Sequence, residues 1–268
     1  MIDFSEGTIN CNRIKIHYYR TGGAKPSMVM LHGMTDDGMC WIRAANALSE
    51  KFDVIMPDAR GHGKSDDPDE GYFYDVFTAD VMKLMEELKL IKPVIVGHSM
   101  GAITALVLAG LYPDVPGAVV LEDPPPFWSS NPLLSDTKDS IGLEVWIKSN
   151  KRKTYDDFLS EINPKWHQEE VLPWINSKHR YSMKILNLLK PETLIQLDLQ
   201  DICKKIQSPV LFLSADIELG AASDTNDVER IQELIPHIQV KHFTGAGHNI
   251  RRDMFEDYLA VVKDFLYE

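Results

Sequence analysis

The stretch Gly97-His98-Ser99-Met100-Gly101 constrains this chain more than any other. It follows the apolar run Pro93-Val94-Ile95-Val96 and leads into the small and apolar residues Ala102 to Leu111, so it reads as strand, sharp turn and helix. A serine at the apex of such a turn is held in strained backbone geometry. Glycines two residues to either side remove the side chains that would otherwise clash. The turn leaves the hydroxyl exposed at the sheet edge and aims the free N–H groups of the new helix at whatever binds there. The expectation is an α/β chain with Ser99 as a nucleophile.

An alcohol does not attack a carbonyl unaided at neutral pH. It needs a general base, and the base needs an acid to orient it. Val240-Lys241-His242-Phe243 reads as a late strand, followed by Thr244-Gly245-Ala246-Gly247-His248-Asn249 and a helix over about 254–266. His248 therefore stands on a glycine-rich loop past a strand end, where it has no core to fill, and it is the candidate base. Met28-Val29-Met30-Leu31 is a further strand, ending in His32-Gly33-Met34. The backbone N–H of Met34, with that of Met100, would form an oxyanion hole.

Five segments, His32-Gly33, Asp58 to Ser65, the Ser99 pentapeptide, Leu121-Glu122-Asp123-Pro124 and Gly245-Ala246-Gly247-His248, occur in an order and spacing that resembles the α/β-hydrolase superfamily. The resemblance covers nearly the whole chain. It implies an eight-stranded, mostly parallel sheet with helices on both faces, a Ser-acid-His triad and no cofactor. It also implies a small helical cap inserted after the sixth strand. Residues 1–123 and 190–268 would be the core and 124–189 the cap. Four of the five tryptophans, Trp128, Trp146, Trp166 and Trp174, fall in that insertion. Most are expected to be cap core. Phe127 and Trp128, nearest the strand end, are the candidates for a substrate pocket above Ser99.

The acid stays open among three carboxylates. The family pattern places it three residues beyond the small residue that ends the strand after Pro209, which puts Glu218 first. Asp216 is two residues early but of the commoner type. Asp123, at the end of strand six, occupies the alternative position used by some superfamily members, although an aspartate before Pro-Pro is often only a strand terminator.

Composition narrows the classes. A net charge of −12 argues against nucleic-acid or anionic-membrane partners. No run nears the roughly 18 apolar residues of a membrane span, and the N-terminus lacks a signal-peptide pattern. Three widely spaced cysteines, Cys11, Cys40 and Cys203, fit a reduced, cytoplasmic setting. No histidine has metal-ligand spacing. Gly61-His62-Gly63-Lys64-Ser65 is no phosphate loop, since its first glycine is replaced by Asp58. His62 and His98 are expected to be packed, bracing residues.

The expectation is a cofactor-free serine hydrolase acting on a small-molecule ester, thioester or lactone, its oligomeric state open. Carbon–carbon bond hydrolases and cofactor-free haloperoxidases share the triad. A small-molecule receptor on this fold, turning over slowly, is the reading from another class.

Overall fold

Eight strands lie in one sheet: β1 (Ser5–Cys11), β2 (Ile14–Arg20), β3 (Ser27–Leu31), β4 (Asp53–Pro57), β5 (Val94–His98), β6 (Ala118–Glu122), β7 (Val210–Ala215) and β8 (Gln239–Phe243). Their order is β1-β2-β4-β3-β5-β6-β7-β8. The β1–β2 and β2–β4 pairs are antiparallel, and every pair from β4 to β8 is parallel. The computed structural model describes residues 4–11, 13–127, 137–190 and 197–267.

The central strands β4 and β7 are buried at every position, which is why they read as continuous apolar runs rather than alternating ones. Each face is covered by helices. On one, α2 (Tyr74–Glu87) and α3 (Met100–Leu111) bring Phe77, Leu84, Ile103 and Leu106 against Val29, Ile95 and Leu121. α7 (Leu199–Lys204) and α8 (Thr225–Leu234) continue that layer through Ile202 and Ile231. On the other, α1 (Ile42–Leu48) and α10 (Phe255–Tyr267) pack Trp41, Leu48 and Tyr258 against Met28, Val96 and Leu213. α9 (Ile250–Asp253) is a single turn before α10.

Between β6 and β7 come α4 (Thr137–Asn150), α5 (Tyr155–Glu161), α6 (Gln168–Arg180) and a 3-10 turn over Met183–Leu189. Helical spacing in the sequence alone reads as one helix over about 174–189. The chain instead starts α6 six residues earlier, capped by His167, carries Pro173 inside it, and breaks at extended Tyr181 before Ser182 caps the 3-10 turn. α6 returns to the sheet: Lys178 Nζ donates to the Thr35 carbonyl at 3.1 Å, and Ser177 Oγ lies at the same distance from it. The insertion thereby reaches the loop after β3.

The turn containing Asp58 is a brace. The Asp58 carboxylate accepts from the N–H groups of Gly38 and Lys64, at 2.8 and 2.9 Å, and contacts His17 Nδ1 at 2.9 Å. The three cysteines are buried and unpaired.

Candidate active site

β5 ends at His98, and Ser99 follows with φ 53° and ψ −116°. This is a conformation that a residue with a Cβ adopts only when its surroundings impose it. Here they do. The Ser99 N–H donates to the Glu122 carbonyl at 3.0 Å, and its own carbonyl accepts from Ala102 and Ile103 at the start of α3. A Cβ on Gly97 would collide with the Gly101 carbonyl, and one on Gly101 with the Leu31 carbonyl. Both glycines are needed because β3, β5 and α3 converge at this turn.

Ser99 and His248 line one cavity of about 470 Å³ at the C-terminal ends of the central strands. His248 Nδ1 lies 2.6 Å from Asp123 Oδ2, which also accepts the Ala222 N–H at 2.8 Å. Asp123 is fully buried and sits at φ 42°, a left-handed residue immediately after β6. Burial pulls the imidazole pKa down. The bond and charge of Asp123, with the charges of Glu122 and Asp36, outweigh it and hold His248 above the ordinary value of 6.5.

This corrects the order of the acids. Glu218, placed first by register, is exposed on a 3-10 turn over Ile217–Leu219 that ends at left-handed Gly220. Asp216 faces the loop of the histidine and not its ring: Oδ2 accepts the Gly245 N–H at 2.7 Å, Oδ1 meets His242 Nε2 at 2.9 Å, and its own N–H donates to the Ala246 carbonyl. The chain turns aside after β7, so counting along it points at solvent.

Met34 and Met100 both line the cavity beside Ser99. Met100 opens α3, where its N–H has no intrahelical acceptor. The Met34 peptide is held from several sides. Asp36 N–H closes a turn onto the Gly33 carbonyl at 3.0 Å, and the Met34 carbonyl lies 2.7 Å from His62 Nε2. His62, its pKa pushed down to about 4 by burial and the nearby His32, joins the Asp58 turn to this loop. His98 Nε2 lies 2.8 Å from the His248 carbonyl, and burial with the Arg251 charge keeps its ring neutral, so that nitrogen donates.

Behind the wall is a buried ionic cluster that no local motif announces. Asp36 contacts Lys178 Nζ of α6 at 2.6 Å and the Arg252 guanidinium at 2.8 Å. Burial works against the Asp36 carboxylate, yet Arg252, Lys178 and Arg251 hold it ionised. Arg251 in turn pairs with fully buried Glu122 at 2.8 Å.

Of the two pocket residues expected from sequence, Phe127 lines the cavity and Trp128 falls outside the described residues. Tyr74, Trp146, Ile147, Trp174 and Leu189 are among the other residues of its apolar wall. Trp146 and Trp174 are thus pocket residues, whereas Trp166 donates its indole N–H to Asp253 at 2.8 Å. Among the described residues no group of three His, Cys, Asp or Glu is arranged to hold a metal.

N-formylmaleamate deformylase of Pseudomonas putida is 28% identical over 97% of this chain and 96% of its own length. The crystal structure of E-2-(acetamidomethylene)succinate hydrolase is similar with a TM-score of 0.81 at 23% identity, covering 99% of this chain and 100% of that one. The enol-lactonase of Burkholderia xenovorans is similar with a TM-score of 0.77 at 23% identity, covering 98% and 100%. A family model described as alpha/beta hydrolase fold matches residues 26–251, from the start of β3 into the turn that follows His248, and the chain belongs to that family.

Proposed function

We propose that this hydrolase-family chain is a serine hydrolase cleaving a carboxylic ester, thioester or lactone through an acyl-enzyme at Ser99. The observation that carries the reading is the strained serine at a strand–helix turn, sharing one cavity with a histidine whose far nitrogen is 2.6 Å from a buried aspartate. His248, neutral, takes the Ser99 proton as Oγ adds to the carbonyl carbon. The Met34 and Met100 N–H groups hold the resulting oxyanion. Collapse expels the leaving oxygen or sulfur, which receives that proton from His248. Water then repeats the sequence on the acyl-Ser99 ester and releases the acid. Asp123 fixes the tautomer and stabilises the imidazolium. Residues 124–189 act as the helical cap that shapes the pocket, with a small acyl compound as the partner.

Similarity to a deformylase along the whole chain favours one further reading, hydrolysis of an amide by the same Ser99, His248 and Asp123. A panel of p-nitrophenyl esters, lactones, acyl thioesters and N-acyl amides separates the two. The ester reading expects turnover of the oxygen or sulfur esters that Ser99→Ala loses by about 10³-fold or more. Turnover confined to amides would replace it, and ester turnover surviving in Ser99→Ala would contradict it.

A further inference from the structure

The cavity has a size suited to a small organic molecule, in the range of about 300–1,000 Å³. Its charges are unusual for what they omit. Among the described residues lining it, Asp36 is the one carboxylate, and there is no lysine or arginine.

The nearest cations are already committed. Lys178 has three protons and three acceptors: Asp36 Oδ1 at 2.6 Å, Thr35 Oγ1 at 3.0 Å and the Thr35 carbonyl at 3.1 Å. Arg252 donates to Asp36 and to Asn249, and Arg251 to Glu122. The three are nearly or wholly inaccessible to solvent, and each is ion-paired to a buried carboxylate. The whole chain is acidic, at −12, which repels anions on approach. A carboxylate entering between Tyr74, Phe127, Trp146, Ile147 and Trp174 would lose its hydration and gain no counter-ion.

Resting on the serine-hydrolase reading, we propose that the substrate portion seated in this cavity is uncharged and apolar, an alkyl or aryl acyl group of a neutral ester or lactone. Substrates with a free carboxylate on that portion are excluded. This separates the chain from similar proteins whose names specify maleamate or succinate, both carboxylates.

The test is a matched pair: p-nitrophenyl hexanoate, and the p-nitrophenyl monoester of adipic acid, which carries a carboxylate at the end of an acyl chain of the same carbon number. The expected result is kcat/KM at least about 30-fold higher for the neutral ester, the scale of an uncompensated buried charge. Calorimetry with Ser99→Ala, where no turnover occurs, should show binding of the hexanoate ester and not of its anionic partner. Equal or better binding and turnover of the anionic ester overturns the proposal, as does binding of neither. Selective binding of the neutral ester without turnover by the native protein would uphold the cavity's preference and refute the hydrolase reading on which it was framed.

Discussion

At Asp123, residue type, burial and backbone conformation act together. The residue sits at a left-handed φ after β6 with its carboxylate against His248, and full burial makes its charge felt there with little screening. Asp123→Asn is expected to lower kcat by about 10²- to 10⁴-fold with KM nearly unchanged, because substrate binding does not use the carboxylate. Glu218→Gln and Asp216→Asn should each cost less than about tenfold, since the first is exposed and the second contacts the Gly245 N–H and His242 rather than His248. Steady-state kinetics of the three amides checks the order. The pH profile gives a second readout. In the proposed reaction only neutral His248 accepts the serine proton, so activity is expected to fall on the acid side as the ring protonates. With the folded pKa raised above 6.5, the acid limb of kcat/KM should have its midpoint above 6.5. Removing the Asp123 charge lowers that pKa, so the limb in Asp123→Asn should move to lower pH while its plateau drops. A limb that moves upward would contradict the assignment.

At the scale of elements, the loop after β3, helix α6 and the turn after His248 meet on Asp36. Removing that carboxylate would leave Lys178 and Arg252 buried without the counter-ion to which both are hydrogen-bonded. Asp36→Asn is expected to destabilise the fold by about 3–5 kcal/mol, read from urea denaturation, while Lys178→Met, which leaves Asp36 paired with Arg252, should cost less. The cluster also shows where reading a sequence stops. The placement of Ser99 after β5 and of His248 after β8 was legible because each stands in a local pattern, glycines around a strand end, that carries its own geometry. The partners on Asp36 lie 142 and 216 positions away along the chain, and neither Asp36-Asp37 nor Arg251-Arg252 has a motif around it. The acid was ambiguous for the same reason. Three carboxylates follow strand ends, and the choice depends on β6 lying beside β5 in the sheet and on one positive φ. Helix α6 was misjudged because Pro173 reads as a boundary, although the packing of Ile175, Ser177 and Lys178 carries the helix across it.

Across the whole molecule, the sheet is the platform on which the cavity holding Ser99 and His248 is built. β5 delivers the serine, β6 the acid, the loop after β8 the histidine and the loop after β3 the Met34 peptide, while the insertion between β6 and β7 supplies the apolar wall. Among the described residues the cavity lining holds no lysine or arginine, and with the chain's net charge of −12 this is the ground for the proposed neutral substrate. All of this depends on Ser99 being the atom that attacks. Treatment with an alkyl fluorophosphonate, followed by intact-mass measurement, peptide mapping and assay of the same samples, tests that dependence most directly. The account predicts one adduct, mapped to Ser99, absent from Ser99→Ala, with hydrolytic activity lost in proportion to the labelled fraction. An adduct on another serine, or full activity in protein labelled at Ser99, would contradict it.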